Sequence, residues 1–394
     1  MRKQLFKWHS SLAMFALIPI FIVCVTGSIL VFKVELDTWL RPHHMLVAEP
    51  KPQSQSVNTR GSDNATSIKT DARVPLDTLM DNVSGANPDY LLAGWELFYG
   101  QERTDTAYVI KRDTDTWYKI YIDQYSGELL SKPQDMHHYL TDWLLELHYA
   151  FLLGFSGTIM GVFIALIMFF LGVSGIILYR KFWAKLFTLR WHAARRILFS
   201  DIHKMIGILA SPIFLLIVFT GGYWNISILY HELSEHGLDE EHHVMSQIMH
   251  NDAISFTQLR VDSQQQIKSF TPTYLAIPNE DDMDIIFFGE VHTNNPLLSQ
   301  YGSMVVYDHA TGELKTKYDI RTGGLLQKFD DSTRKLHFGY FAGIWSKIVW
   351  CLIGLAPVIL MLTGTLMFII RRNPKTRLNA RNTALLNHSL IKNN

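Results

Sequence analysis

Four long apolar runs organise the chain, near Ser11–Phe32, Tyr149–Leu178, Met205–Leu229 and Gly343–Ile370. Crossing a hydrocarbon core takes roughly 20 helical residues, so the pattern predicts four membrane-spanning helices. The first run follows Met1-Arg2-Lys3, like the start of a signal peptide. It is too long for a cleaved apolar core and no small-x-small site closes it before Glu35, so it reads as a retained helix. Pro19, Pro212 and Pro357 are expected to bend their helices.

The two long connections, about Lys33–Leu147 and Tyr230–Phe338, carry a different pattern. β-rich stretches at Trp117–Ile122 and Ser303–Tyr307 are each followed by an Asp with a Gly four residues on, Asp123 with Gly127 and Asp308 with Gly312. Such a spacing, closed by a returning Leu, predicts a hairpin turn in which Gly supplies the positive φ. Each connection is therefore expected to hold a small antiparallel sheet with a helix, such as Leu76–Val83, packed on it. Residues 50–72 are rich in Ser, Thr, Gln, Asn and Asp, lack apolar periodicity, and read as a flexible linker. The fold class expected is a polytopic α-helical membrane protein, a four-helix transmembrane bundle with small α+β outer domains. Its divisions are 1–33 (N-terminus and first span), 34–147 (first outer domain), 148–180 (second span), 181–202 (basic loop), 203–230 (third span), 231–336 (second outer domain), 337–370 (fourth span) and 371–394 (basic tail).

The chain also matches itself. His9, Thr26 and Gly27 match His203, Thr220 and Gly221 at one offset; Leu147-His148, Gly154, Ser174 and Gly175 match Leu336-His337, Gly343, Thr363 and Gly364 at another. The two Asp–Gly-Glu-Leu turns form a third matched set between them. Three sets in one order predict two tandem repeats.

Composition sharpens this picture. Apolar residues make up 48% and charged residues 18%, with formal net charge zero, so nothing draws the chain to nucleic acid. Cys24 and Cys351 both lie in apolar runs and read as packing residues. Arg2, Lys3 and Lys7 precede the first run. Arg180, Lys181, Lys185, Arg190, Arg195, Arg196 and Lys204 lie between the second and third, and Arg371, Arg372, Lys375, Arg377 and Arg381 follow the fourth. By the positive-inside rule these segments share the cytoplasmic side. Both termini are then cytoplasmic in a bacterial inner membrane, and the long connections face the periplasm.

Seventeen histidines is a high number, and four take repeat-equivalent places. His9 and His203 begin the outward-going helices; His148 and His337 begin the inward-going ones. A pseudo-two-fold axis along the membrane normal would bring each pair together, one near each face. Gly27 and Gly221 come eighteen residues after His9 and His203, which at about 1.5 Å per residue puts them level with His148 and His337. Gly175 and Gly364 come level with the other pair. Glycine there leaves room for a flat macrocycle, with Trp8, Tyr149, Phe338 and Tyr340 as ring contacts. Two imidazoles from opposite helices suit a six-coordinate haem iron, so His9, His148, His203 and His337 are the candidate haem ligands, with two haems as the cofactors. Any one of them could instead be a polar helix cap. Zinc is the rival ligand, poorly coordinated by two histidines without nearby Cys or carboxylate. His192 is a possible substitute ligand.

The pattern resembles the PepSY-associated transmembrane proteins, through Lys7-Trp8-His9, Val25-Thr26-Gly27, the Asp–Gly-Glu-Leu turns, Leu147-His148 and Leu336-His337. The resemblance covers nearly the whole chain and implies PepSY-like outer domains. Within that family the chain is similar to inner-membrane ferric and ferrisiderophore reductases of the FoxB and VciB kind. That implies an oxidoreductase holding two b-type haems through the four matched histidines and passing electrons to periplasmic ferric iron or ferric siderophore, in support of iron uptake. Its partners would be membrane lipid, an electron donor (quinol or a separate reductase) and a ferrous transporter.

An iron-binding end is expected in His231-Glu232, Glu235-His236, Asp239-Glu240-Glu241-His242-His243 and His250, because carboxylates and imidazoles together suit iron. The set singled out is His231, Glu235, His236, His242 and His243; the plainer reading is an acidic, solvated helix end. His43-His44 and His137-His138 are further outer pairs. Arg334 and Lys335 could neutralise haem propionates. No Gly-x-Gly-x-x-Gly follows a strand, so no dinucleotide site is expected; the glycines at 154, 157 and 161 read as helix packing. The rival class is a haem-free anchor whose outer domains bind or regulate an envelope protein or protease. A transporter is a third reading, set back by the near-absence of ionisable residues at mid-span though duplicated halves suit it.

Overall fold

The computed structural model of the chain describes residues 1–48, 72–99, 102–179, 188–235, 244–280 and 282–372. It divides into two compact units, one of Met1–Phe32, Trp143–Glu235 and Leu336–Asn394, the other of Lys33–Asp142 and His236–Lys335. Residues 50–71 of the linker expected at 50–72, the basic residues Arg180, Lys181, Lys185, Lys375, Arg377 and Arg381, and the run 236–243 lie outside the described residues.

The first unit is helical. Among the described residues three of its helices are long and apolar enough to cross a membrane, and a bent pair makes up to four. The bent pair is α1 (Arg2–Phe15) and α2 (Leu17–Leu30), which meet at 68°. Pro19 accounts for the break. Its ring cannot donate to the Phe15 carbonyl and crowds it, so the ladder stops at Ala16, whose φ of −92° and ψ of 14° leave the helical region. After two short helices, α3 (Lys33–Leu40) and α4 (Pro42–Met45), the next helix among the described residues is α5 (Leu76–Ala86).

The second apolar run is not one helix. It is α6 (Leu140–Ala150) followed by α7 (Gly154–Tyr179). Between them Phe151 and Leu152 hold φ of 51° and 61°, a left-handed conformation uncommon for bulky side chains. The third run lies inside α8 (Arg195–Glu235), whose 41 residues span about 60 Å at about 1.5 Å each. The fourth is α11 (Gly343–Arg372), preceded by α10 (Leu325–Phe338) and a break at Gly339–Ala342. Pro212 and Pro357 lie within α8 and α11, which continue through them. The apolar core of this unit gathers Ile20 and Cys24 from α2, Ile164, Ile167 and Met168 from α7, and Val218 from α8.

The second unit holds one sheet where two were expected. Among the described residues eight strands run in the order β4-β3-β2-β1-β5-β6-β7-β8, with neighbours antiparallel throughout. The strands are β1 (Tyr90–Glu96), β2 (Asp105–Lys111), β3 (Trp117–Ile122), β4 (Gln134–Asp135), β5 (Phe270–Ala276), β6 (Ile285–Val291), β7 (Ser303–Tyr307) and β8 (Leu314–Tyr318). The two halves join where Trp95 of β1 pairs with Leu275 of β5. Joining β1 to β5 removes two exposed edges that separate sheets would leave.

Two helices cover the same face. Leu76, Leu79, Met80 and Val83 form the buried stripe of α5, and Phe256, Leu259, Arg260 and Ser263 that of α9 (Phe256–Gln266), both at i, i+3, i+4, i+7. Each helix serves the other's start. The Asp77 carboxylate accepts from the Phe256 N–H at 2.7 Å, and the Asp77 N–H donates to Thr257 Oγ1 at 3.1 Å. One apolar core, from Leu76 to Ile320, runs beneath both halves. The expected turns are present: Gly127 and Gly312 take φ of 80° and 74°, and each N–H donates to its Asp carbonyl at 2.8 Å.

Candidate functional site

Two cavities of the helical unit are each lined by two of the matched histidines. One, of about 400 Å³, is lined by His9 of α1 and His203 of α8 together with Gly175 and Gly364. The other, of about 290 Å³, is lined by His148, His337, Gly27 and Gly221. His148 and His337 do not begin the spanning helices, as the uninterrupted apolar runs suggested. They sit in the last turns of α6 and α10, just before the breaks that lead into α7 and α11.

Glycine brings each ring close to a neighbouring helix. A Cβ at Gly27 would fall 2.6 Å from His148 Cε1, and one at Gly221 would fall 2.6 Å from His337 Cε1. The missing side chain therefore makes room for the imidazole itself. In the other cavity the same construction leaves 3.8 Å between Gly175 and His9, and 3.5 Å between Gly364 and His203.

Hydrogen bonds then fix how each ring presents its nitrogens. Thr26 Oγ1 donates its own proton to the Ile22 carbonyl at 2.7 Å, so towards His148 Nδ1, 3.1 Å away, it accepts. The Val23 carbonyl accepts from the same Nδ1–H at 3.0 Å. His337 repeats this with Thr220 at 3.2 Å and the Ile217 carbonyl at 3.1 Å, the Thr220 hydroxyl donating to Leu216. His203 Nδ1 donates to Thr363 Oγ1 at 3.0 Å, and His9 Nδ1 to Ser174 Oγ at 2.7 Å. All four rings are thus held with the proton on Nδ1, which leaves the Nε2 lone pair as the ligating atom. An imidazole anchored through its other N–H is the usual arrangement of a metal-bound histidine.

Spacing agrees with that role. The His148 and His337 ring centroids are 6.2 Å apart at 45°. Imidazole nitrogens bind first-row metals at about 2 Å, so two rings sharing one ion have centroids on the order of 6 Å apart. Among the described residues no carboxylate lines either cavity and one thiol, Cys24, lines the His148–His337 cavity, so neither supplies the four protein ligands of a closed tetrahedral zinc site. Two imidazoles in an apolar, roomy cavity suit an iron whose other four positions come from a macrocycle. The residues present fit a haem.

The surroundings differ. Arg196, Lys204 and Arg371 line the His9–His203 cavity. The His148–His337 cavity has no Lys or Arg among its lining residues and is closed instead by Tyr149, Trp224, Phe338 and Trp350. Asn225 Nδ2 donates there to the Tyr149 carbonyl at 3.0 Å.

Other expected site residues are placed elsewhere. Trp8 is exposed, His192 lies exposed in the turn before α8, and Tyr340 stacks on Phe338 at 6.0 Å; none lines a cavity. Arg334 packs over the Tyr301 ring, and neither it nor Lys335 lines the His337 cavity. Of the expected iron-binding run, α8 carries His231 exposed and ends at Glu235, while His236, His242 and His243 lie outside the described residues. His250 packs edge-on against Phe256. His43 and His44 lie in contact on α4, with His44 Nδ1 3.1 Å from the Tyr139 hydroxyl, and His137 is 3.5 Å from Asp135. A cluster the sequence did not announce joins Asp284, Asp308 and His309, but Lys315 Nζ stands 2.8 Å from Asp284 and already supplies the countercharge.

The four hydroxyls were also missed as site residues. Their signal was the Thr-Gly or Ser-Gly pair that occurs at 26–27, 174–175, 220–221 and 363–364. In each pair the glycine faces one matched histidine and the hydroxyl beside it engages the same ring.

No curated protein matches the chain. The family model of the PepSY-associated TM region matches residues 6–371, nearly its whole length, and the chain is therefore a membrane protein belonging to that family.

Proposed function

We propose that the protein is a transmembrane electron conduit that holds two b-type haems and reduces ferric iron, free or as a siderophore chelate, on the periplasmic face of a bacterial inner membrane. The observation that carries this reading is the pairing of four histidines, two per cavity, each with its Nδ1–H tied down and its Nε2 free. The two halves act as tandem repeats that supply one histidine each to both sites of a four-helix bundle. His9 and His203 would hold one haem, His148 and His337 the other.

A bound haem supplies reversible one-electron chemistry at a potential set by its ligands and surroundings. The chain's residues orient and insulate it. Apolar lining excludes water, and Arg196, Lys204 and Arg371 offer cations for carboxylates at the His9–His203 site. The electron comes from a quinol or a separate reductase. Lowering the charge on iron weakens its hold on oxygen-rich chelators and yields ferrous iron for a transporter.

The test is reduction of a ferric chelate outside proteoliposomes, read by a ferrous-specific chromophore, with a quinol supplied in the membrane. Reduction should occur with the wild-type protein and fall to background in His148→Ala and His337→Ala. A wild-type rate no greater than that of empty vesicles, from protein loaded with haem and pre-reduced, would remove the reductase reading.

A further inference from the structure

We propose that Ser174, Thr26, Thr220 and Thr363 are positioning residues that set the donor strength of the four histidines, with Ser174 carrying the greatest share. The inference rests on the di-haem reading and deepens it. Each hydroxyl spends its own proton on a carbonyl one turn back in its helix, Thr26 on Ile22, Thr220 on Leu216, Thr363 on Ile359 and Ser174 on Leu171. Only its lone pairs then face the imidazole, so each must accept the Nδ1–H. Such an acceptor fixes the tautomer, the ring's rotation about its Cβ–Cγ bond and the basicity of Nε2.

The four histidines are not held alike. His148 and His337 each have two acceptors, a threonine hydroxyl and the Val23 or Ile217 carbonyl. His203 has Thr363 and, within hydrogen-bonding reach, the Leu360 carbonyl. His9 has Ser174 alone among the described residues, at 2.7 Å. Packing adds to the difference. Gly27 and Gly221 press on the rings of His148 and His337, whereas Gly175 leaves slack beside His9. Removing one threonine hydroxyl from the first pair leaves a second acceptor and a tight fit. Removing the serine hydroxyl leaves His9 without either.

A weaker acceptor makes imidazole a poorer donor, which favours ferrous over ferric iron and raises the midpoint potential. The experiment is a spectroelectrochemical titration of the detergent-purified full chain, with haem content and the low-temperature resonance of the oxidised low-spin haem read in parallel. Ser174→Ala should shift one of two midpoints upward and alter one of two low-spin signals, with haem lost from that site in part of the population. Thr26→Val and Thr220→Val should shift the other midpoint by less and keep full haem. Thr26→Ser, Thr220→Ser and Thr363→Ser, which keep the hydroxyl, should match wild type.

Identical midpoints and signals for Ser174→Ala and wild type would overturn the proposal while two haems per chain left the conduit standing. So would Thr26→Ser shifting as far as Thr26→Val, because packing and not the hydroxyl would then be responsible. A wild-type protein without haem would overturn both readings.

Discussion

The buried carboxylates of the sheet unit and the polar groups lining the two helical cavities are satisfied in opposite ways. In the sheet unit the buried carboxylates Asp37, Asp105 and Asp142 are each paired with a cation. Asp105, fully buried, accepts from Arg73, from Trp95 Nε1 at 2.7 Å and from the Phe98 N–H at 3.0 Å. Asp142 meets both Lys33, at 2.9 Å, and Lys119, and Asp37 meets Arg41 at 2.7 Å. In the helical unit the buried polar groups of the two cavities are neutral rings and hydroxyls, each ring left with one unused lone pair. An ion pair repays its burial only with full compensation, and Asp105 receives it from its three donors. A neutral histidine needs less, and its free lone pair faces an apolar cavity. On the proposed reading the contrast separates groups that hold the fold from groups that would hold a cofactor.

The comparison breaks first at Asp105. Asp105→Asn leaves the Arg73 guanidinium buried beside a neutral amide, and losing one partner of such a pair costs about 3–5 kcal/mol. Thermal melting followed by limited proteolysis should show the sheet unit opening at lower temperature, with the haem spectrum of the helical unit unchanged. A spectrum that collapsed together with the sheet would refute the separation.

Next in size is Gly27→Ala, whose Cβ would meet His148 Cε1 at 2.6 Å. Overpacking of that kind costs about 1–3 kcal/mol, and here it displaces the His148 ring, a haem ligand on the proposed reading. We expect haem content to fall by about half, whereas Gly175→Ala, with 3.8 Å to His9, should bind as wild type. Equal losses in the two variants would show that the cavities do not differ in tightness.

A smaller effect concerns pH. Burial raises the Asp142 pKa, but Lys33 and Lys119 outweigh it and hold the carboxyl below its ordinary value. A depressed folded pKa contributes stability that is present above the unfolded pKa and lost as pH falls through the folded one. The sheet unit should therefore lose stability on acidification through the carboxylate range, and Asp142→Asn should flatten that slope. An unchanged slope would remove Asp142 from the account.

The smallest effect expected is that of Arg196→Gln. It lines one cavity from an exposed position, where screening makes charge interactions worth roughly 0–1 kcal/mol. Only the midpoint assigned to the His9–His203 site should move, and slightly.

The apolar runs announced the membrane helices because nothing else in a chain holds so many apolar residues together. The turns at Gly127 and Gly312 were legible because an Asp–Gly spacing has few other uses, and the strands Trp117–Ile122 and Ser303–Tyr307 fall where the pattern put them. The break at Phe151–Leu153 was hidden: two bulky residues take left-handed φ with no sequence mark but Gly154. Joining of the two outer segments into one sheet was equally silent, because antiparallel pairing of β1 with β5 depends on an encounter across the whole chain. The histidines stood out through their matched positions, but the hydroxyls that aim them did not. Thr-Gly beside a helix end reads as packing until the ring that it accepts from is known.

The most direct test of the central claim is haem quantified per chain in the detergent-purified protein, from the oxidised and dithionite-reduced absorption spectra. The account predicts two low-spin b-type haems per chain, one lost in His148→Ala and one in His9→Ala. A featureless spectrum from folded protein expressed with ample haem would contradict it.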